Sequence, residues 1–263
     1  MLERTVENVS ESVYRVAVHQ VIEILERCAE NTCVSRPFKV RAEDGHLYFI
    51  KGCGSGWTRR ELCHEMLAAR LAEALALPIA PFGMLDVQQA ILEFCAVRGI
   101  DALRAGPAFG SRKVDSFSLP PVAVKAVPEE LRWKILLFDW WIQNEDRILG
   151  DMGGNVNLLW SSDGDQLTVI DHNNAFDKNF AESAFFESHV FRAERERISE
   201  TFLLEQSQAF AKIADRFPEL TGDFPDEWTE RQETPGDFVP ESAIEILSRS
   251  VKILDVFGGQ HHD

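Results

Sequence analysis

Hydrophobic and polar residues alternate over several segments in the first part of the chain, which predicts a small β-sheet. Residues 13–27 mix this alternation with strong helix formers, and we favour a strand there. Residues 37–41 and 46–51 flank a Glu-Asp-Gly turn and predict a β-hairpin that ends in a lysine. The short apolar run at residues 90–95 predicts one more strand, which would end in a hinge.

Other segments have apolar residues at helical spacing. Residues 59–76 contain strong helix formers throughout, and Pro78 stops the pattern. Residues 98–121 are rich in Pro, Gly and Ser, which predicts loops and a linker. Further helices are predicted at residues 128–141, 190–217 and 241–257.

This order of elements predicts an α+β fold. A small antiparallel β lobe with one helix would come first, and a larger, mainly helical lobe would follow. The chain has 263 residues, of which 45% are hydrophobic, which is enough for one large domain or two lobes with a proper core. We divide it into residues 1–97 and residues 98–263.

The formal charge of −16 argues against general binding to nucleic acid or to an anionic membrane, because both need clustered Lys and Arg. No apolar run approaches the roughly 18 residues that span a bilayer, and the first residues lack a signal-peptide pattern, so we expect a cytoplasmic protein. The five cysteines include no Cys-x-x-Cys pair, which favours reduced thiols over a zinc site.

The strongest chemical signal lies in residues 138–176. Asp146 and Arg147 stand in a polar loop after an apolar run, Asn155 and Asn157 precede a short apolar strand, and Asp171 ends the next one. An Asp-Gly turn between these strands predicts a tight hairpin that brings Asn157 close to Asp171. Each residue alone is typical of a turn. Together, an acid, an amide and a second acid can orient a hydroxyl and hold Mg²⁺, as phosphoryl transfer from ATP requires.

The first lobe supplies candidate contacts to the nucleotide. Lys51 would reach the phosphates of ATP, and a helix glutamate would pair with it; we choose Glu65 over Glu61. The hinge predicted after residues 90–95 makes Glu93 and Phe94 further candidates for contacts with ATP.

No Gly-x-Gly-x-x-Gly sequence is present to cover the phosphates. That role would fall to the loop at residues 30–36, whose Thr32 and Ser35 are candidate hydrogen-bond donors.

Four segments resemble the HipA-like kinases, in particular the single-domain branch that lacks an amino-terminal extension: residues 48–51, 65–78, 144–147 and 169–176. The resemblance extends over about residues 13–192, and it implies a bilobal protein-kinase-like fold. The last two segments are also similar to type II phosphatidylinositol 4-kinases.

The resemblance implies a role for each matching residue. Asp146 would orient the attacking hydroxyl or accept its proton, and Arg147 beside it is a further candidate catalytic residue. Asn157 and Asp171 would bind Mg²⁺. Lys51 would contact the α and β phosphates, with Glu65 as its partner.

The chain departs from the family pattern in two places. The family asparagine usually follows the catalytic aspartate by five residues, where this chain has Asp151. We prefer Asn157 as the metal ligand because it directly precedes its strand, with Asn155 and Asp151 as alternatives. His172 and Asn173 replace the Phe-Gly of ordinary protein kinases, so regulation by a moving Phe is not assumed.

The predicted activity is transfer of the γ-phosphoryl group of Mg-ATP to a hydroxyl, and the resemblance implies Ser or Thr of a protein as acceptor. Two alternatives stay open: a phosphoinositide or small-molecule kinase, and a catalytically idle nucleotide-binding interaction module. A toxin-antitoxin type of partner is implied by the resemblance alone.

Overall fold

The computed structural model describes residues 18–29, 35–54, 56–150, 153–161, 163 and 166–258. Its first sheet is a closed barrel in the order β1-β2-β3-β5-β4. The five strands are β1 (Val18–Arg27), β2 (Phe38–Ala42), β3 (Leu47–Gly52), β4 (Phe82–Val87) and β5 (Gly106–Arg112). The strand predicted within residues 13–27 and the hairpin that ends in Lys51 are confirmed.

Alternation along β2 explains how the hairpin joins the barrel. Phe38, Val40 and Ala42 are completely buried, whereas the residues between them point outward. Lys39 bonds Glu26 at 3.0 Å and Arg41 bonds Glu23 at 3.1 Å, both across the β1-β2 ladder. The register therefore places apolar side chains inside and ion pairs outside.

The prediction of a purely antiparallel sheet is wrong, because β1 and β4 pair in parallel. A parallel pair needs a crossover, and α1 (Arg59–Ala74) lies between these strands in the chain. The strand predicted at residues 90–95 is also wrong, since α2 (Gln89–Glu93) occupies that segment and β4 precedes it. Periodicity does not distinguish helix from strand in such a short apolar run, and Ala, Leu and Glu are strong helix formers.

The prediction of loops throughout residues 98–121 is wrong as well. β5 pairs with β3 and β4, so the first sheet extends beyond the predicted division at residue 97. A Cβ atom built on Gly110 would lie 2.1 Å from Cδ1 of Leu85. This glycine therefore permits close packing between strands and does not mark a turn.

The helix predicted at residues 59–76 is confirmed as α1. Thr58 and Glu61 form a capping box at its start. All residues from Leu62 to Ala72 are buried, so the helix is enclosed on every side. Arg70 reaches through the core to Asp223, with two contacts at 2.5 and 3.0 Å.

The second half contains a three-stranded sheet and helices. β6 (Ser116–Ser118), β7 (Leu158–Ser161) and β8 (Leu167–Val169) pair in that order, and the hairpin predicted between β7 and β8 is confirmed. The helices are α3 (Glu129–Trp141), α4 (Glu182–Ser188), α5 (Glu200–Ala214), α6 (Phe217–Thr221), α7 (Asp226–Thr229), α8 (Pro240–Leu247) and α9 (Ile253–Phe257), with 3₁₀ turns at Ile100–Ala102, Pro121–Ala126, Arg192–Arg197 and Ser248–Lys252. The mixed α+β fold is confirmed.

Two of the predicted helices are interrupted. In residues 190–217 the long helix begins only after Ser199, whose hydroxyl caps the amide of Phe202. In residues 241–257 a 3₁₀ turn separates α8 from α9. The helix predicted at residues 128–141 is confirmed as α3.

Helix α3 crosses the main core and leads into the polar loop that contains Asp146. Trp141 stacks on Phe210 with ring centroids 4.3 Å apart and donates its indole N–H to the carbonyl of Leu247 at 2.8 Å. This packing fixes the point at which the loop begins. The described helices are all too short or too polar to cross a membrane.

Candidate active site

Lys51 lies at the centre of the site. It is 6% exposed on β3, and its ammonium donates to Oδ1 of Asp171 at 2.7 Å and to Oε2 of Glu65 at 2.8 Å. Oδ1 of Asn173 lies 3.4 Å away. The barrel, α1 and the end of β8 therefore meet at one buried cation.

Glu65, not Glu61, faces this cation. Its second oxygen, Oε1, accepts a hydrogen bond from the amide of His172 at 3.0 Å, whereas the carboxylate of Glu61 is used in the capping box of α1. The two glutamates are four residues apart on one face of α1, but Glu61 lies in the first turn beside Thr58, whereas Glu65 lies one turn further on beside Lys51. Glu65 therefore connects Lys51 to the backbone just after Asp171.

Burial and charge determine the ionisation of this group. Burial alone would lower the pKa of Lys51, but the carboxylates of Asp171 and Glu65 outweigh it and raise that pKa. Burial and the neighbouring Asp171 raise the pKa of Glu65 against the effect of Lys51. Lys51 lowers the pKa of Asp171 in spite of burial. Two carboxylates thus share one cation, which leaves a local excess of negative charge.

Asp171 has a backbone conformation that few side chains adopt. Its φ is 57°, in the left-handed region. This turn at the end of β8 lets Oδ1 contact Lys51 while Oδ2 accepts a hydrogen bond from the hydroxyl of Ser35 at 3.2 Å. Strain of this kind persists only where neighbouring contacts hold it, and it is typical of functional sites.

Asp146 is held by two amides. The side-chain nitrogen atoms of Asn155 and Asn157 each donate to its Oδ2 at 3.1 Å, and Asn157 also donates to its carbonyl at 3.1 Å. The amide of Ile170 bonds the carbonyl of Asn157 at 3.1 Å, so the hairpin brings Asn157 next to the segment that leads into Asp171. Burial raises the pKa of Asp146, and the charge of Asp171 adds to this effect.

The oxygen atoms of Asp171 and Asn157 suit a hard divalent cation such as Mg²⁺. Among the described residues, no group of three or more His, Cys, Asp or Glu side chains is arranged to hold a metal ion. A Mg²⁺ ion commonly takes one or two protein ligands and completes its shell with phosphate oxygens and water. The residues present therefore fit a metal that arrives with a nucleotide.

Arg147 is completely buried and does not face the site. Its Nε donates to Oδ2 of Asp139 at 2.6 Å, and its Nη1 donates to the carbonyl of Asn157 at 2.5 Å and to that of Ile170 at 3.4 Å. Its donors hold the backbone of Asn157 and Ile170, so the position of the side chain does not favour the catalytic role predicted for Arg147.

The sequence model of the HipA-like kinases matches residues 21–253. The chain belongs to the HipA-like kinase family. A member of this family is a kinase, an enzyme that transfers a phosphoryl group.

Solved structures of kinases are also similar to this HipA-like kinase. The crystal structure of the Helicobacter pylori proinflammatory kinase CtkA aligns with a TM-score of 0.48 and 10% identity, over 84% of this chain and 88% of that one. The Golgi casein kinase aligns with a TM-score of 0.47 and 11% identity, over 94% and 73%. Its complex with Mn/ADP aligns with a TM-score of 0.46 and 10% identity, over 92% and 72%. No curated protein sequence matches the chain.

Glu93 and Phe94 are the other predicted contacts to ATP. Glu93 ends α2 and bonds the side chain of Gln89, and Phe94 is 89% exposed. Their expected role depended on a strand that the structure does not contain. The barrel connects to the second sheet at residues 113–115, after β5. Thr32 and Asp151 lie outside the described residues.

Sequence reasoning missed the buried network that supports the loop containing Asp146. Asp139 on α3 is fully buried. Its carboxylate is hydrogen-bonded to Arg147, to the side-chain amide of Asn144 at 2.9 Å and to Nε2 of His189 at 3.0 Å. Burial opposes its ionisation, but Arg147 and His189 outweigh this effect and hold the pKa of Asp139 well below its usual range. One signal was available, since an acid inside an apolar helix needs a partner.

Proposed function

We propose that this HipA-like kinase transfers the γ-phosphoryl group of Mg-ATP to the hydroxyl of a protein Ser or Thr. The observation that carries the proposal is the pairing of Lys51 with both Glu65 and Asp171, beside an Asp146 fixed by amides. These are the parts that hold phosphates, bind a metal and align a hydroxyl in kinases.

Lys51 would contact the phosphates of ATP. Its charge is important because the whole chain carries −16 and repels a nucleotide at long range. Glu65 would keep the side chain of Lys51 extended when Asp171 binds the metal. Mg²⁺, held by Asp171 and Asn157, would supply positive charge that offsets the charge of the phosphates.

Asp146 would align the acceptor hydroxyl. Its Oδ2 is occupied by Asn155 and Asn157, which leaves Oδ1 for the incoming group. The raised pKa of Asp146 makes it a stronger base than a surface aspartate, and the two amides limit its rotation.

A protein acceptor is the first choice because of the family to which the chain belongs. The phosphoinositide alternative fits less well, because a net charge of −16 disfavours an anionic membrane surface. The idle-module alternative gives no reason for Asp146 and Asp171 to lie on either side of Asn157. We further propose a two-lobe arrangement in which the barrel forms the nucleotide lobe, and a cytoplasmic location.

Transfer of labelled γ-phosphate into proteins of a cell extract tests this proposal, with mass spectrometry to identify the modified residues. The matched variant is Asp146→Asn, which keeps the shape of the side chain but removes its charge. We expect phosphoserine or phosphothreonine with the native protein and a loss of about 10²-fold or more with the variant. Label in lipid alone would support the phosphoinositide alternative, and equal label with both proteins would contradict the role of Asp146.

A further inference from the structure

A segment late in the chain packs along the helix that carries Glu65, and the proposed mechanism does not use it. This segment, residues 217–237, contains α6, α7 and the turn that follows them. We call it the α1 clamp. It contacts α1 near both ends and in the middle, so the position of the helix depends on the clamp.

The first contacts lie at the start and in the middle of α1. The backbone amide of Arg60 donates to the carbonyl of Gly236 at 2.9 Å, and its side chain donates to the carbonyl of Pro235 at 2.9 Å. One turn further on, the thiol of Cys63 lies 3.8 Å from the carbonyl of Trp228. The turn and α7 therefore follow the first half of the helix.

The contact near the end of α1 is an ion pair. The guanidinium of Arg70 is fully buried, donates to the carbonyl of Leu220 at 2.7 Å and bonds the carboxylate of Asp223 twice. A buried charge that loses its partner is strongly destabilising, because no solvent compensates it. The helix therefore cannot move away from the clamp without a large cost in free energy.

The clamp and Lys51 contact opposite sides of α1. Glu65 is five residues from Arg60 and five residues from Arg70. At about 100° per residue, Glu65 lies about 140° around the helix from each of them. The clamp thus covers the side of α1 that faces away from Lys51, and the helix is held between the clamp and the candidate site.

The clamp also bonds the barrel that carries Lys51. Trp228 is completely buried, and its indole N–H donates to the carbonyl of Pro107 on β5 at 3.1 Å. β5 pairs with β3, where Phe109 lies opposite Lys51. One residue of the clamp therefore contacts both the helix of Glu65 and the sheet of Lys51.

In kinases the pair of this lysine and a helix glutamate must be in place for phosphoryl transfer, and the position of the helix is a point of control. From the contacts above we infer that the α1 clamp holds Glu65 on Lys51 when Asp171 binds the metal, with Trp228 and Arg70 as positioning residues. This inference deepens the proposed function and rests on it. The helix would keep its active position without an activating partner.

Hydrogen exchange of the α1 amides, measured by mass spectrometry without nucleotide, tests whether the clamp holds the helix. Trp228→Phe keeps most of the buried ring but removes the indole bond. Gly236→Ala would place a Cβ atom 3.2 Å from the side chain of Thr58, which pushes the clamp away from the start of α1. The matched control is Trp133→Phe, which removes an indole bond to Glu194 at 3.2 Å. Exchange of α5 on the same samples measures global unfolding.

We expect α1, but not α5, to exchange about tenfold faster in Trp228→Phe and in Gly236→Ala. Glu65→Gln and Trp133→Phe should change the exchange of α1 by less than about threefold, because neither alters a contact of the clamp. A larger effect in Glu65→Gln than in Trp228→Phe, or unchanged exchange in both clamp variants, would overturn the inference.

A double-mutant cycle on the affinity for Mg-ATP, measured by isothermal titration calorimetry, tests whether the clamp acts through Glu65. We expect Trp228→Phe to weaken binding about fivefold in the native background and less than about twofold in Glu65→Gln, which has no charged partner to position. Equal losses in the two backgrounds would overturn the positioning role. An absence of Mg-ATP binding to the native protein would instead contradict the proposed function, and the exchange comparison would still decide whether the clamp holds α1.

Discussion

The ammonium of Lys51 lies 2.7 Å from Oδ1 of Asp171, although Lys51 is on β3 of the barrel and Asp171 follows β8, 120 positions further along the chain. Neither side chain is open to solvent, since their side chains are 7% and 16% exposed. This ion pair, completed by Glu65, connects the barrel to the hairpin that carries the candidate metal ligands. The proposed nucleotide site is therefore built around an ion pair that also holds the fold together.

Removal of the cation should therefore destabilise the protein. In Lys51→Met, two buried carboxylates lose their shared partner, and we expect a loss of about 3 kcal/mol in the free energy of unfolding at pH 7. The remaining acids would bind protons more readily in the folded state than in the unfolded chain, so this variant should regain stability as the pH falls. Denaturant unfolding over a range of pH measures both effects. A Lys51→Met/Glu65→Gln protein that is no more stable than Lys51→Met would contradict this account.

Arg147 should behave as a positioning residue. Arg147→Lys keeps the charge, but a lysine cannot donate to Asp139 and to the carbonyl of Asn157 at the same time. We expect a loss of about 3 kcal/mol in the free energy of unfolding. A double-mutant cycle with Asp139→Asn should show strong coupling, because the two side chains share bonds at 2.6 and 3.2 Å. A variant that lost kinase activity with unchanged stability and no coupling to Asp139 would point to a catalytic role instead.

The enclosed helix α1 depends on Arg70. This guanidinium is fully buried, bonds the carboxylate of Asp223 twice and donates to the carbonyl of Leu220 at 2.7 Å. We expect Arg70→Met to cost roughly 3 kcal/mol or more, because it leaves Asp223 and a buried carbonyl without their donor. Arg231→Gln, at an exposed pair with Glu241, should cost less than about 1 kcal/mol. Thermal unfolding of the two variants measures both losses of stability. Equal losses in Arg70→Met and Arg231→Gln would contradict the importance of the contact between Arg70 and Asp223.

Buried histidines should make the protein less stable in mild acid. Burial lowers the pKa of His64 from 6.5 to about 3, and that of His172 likewise. The unfolded chain takes up these protons near pH 6.5 while the folded protein does so only near pH 3, so stability falls as the pH falls through this window. His64→Phe should reduce the loss between these limits by at least ~1 kcal/mol. His46→Gln, on the exposed hairpin, is the control, and an unchanged pH profile in His64→Phe would refute the prediction.

Sequence reasoning predicted the parts of the molecule whose pattern is local. Alternation in β2 and β3, the capping and periodicity of α1, and the Asp-Gly turn between β7 and β8 each identify an element without reference to the rest of the chain. The order of these elements was enough to predict which side chains would meet. The structure brings together Lys51, Glu65, Asp146, Asn157 and Asp171.

The parts that were missed depend on packing between distant segments. β5 consists largely of small and turn-forming residues, and its glycine at 110 is explained only by the side chain of Leu85 on the neighbouring strand. The direction of Arg147 follows from Asp139, eight residues earlier, and from two carbonyls on the hairpin. No local pattern indicates that an Asp-Arg pair in a loop turns its arginine into the core.

The most direct test of the central claim is a thermal-shift titration with ATP, with and without Mg²⁺, on the native protein and on Asp171→Asn. The matched control is Asp101→Asn, which removes the charge of an exposed aspartate that lies outside the proposed site. Ligand at about 100 times its dissociation constant should stabilise the native protein and the control by roughly 2.7 kcal/mol, a rise of several degrees in Tm. We expect this shift to require Mg²⁺ and to disappear in Asp171→Asn. A shift of equal size in Asp171→Asn, or no shift in the native protein, would contradict it.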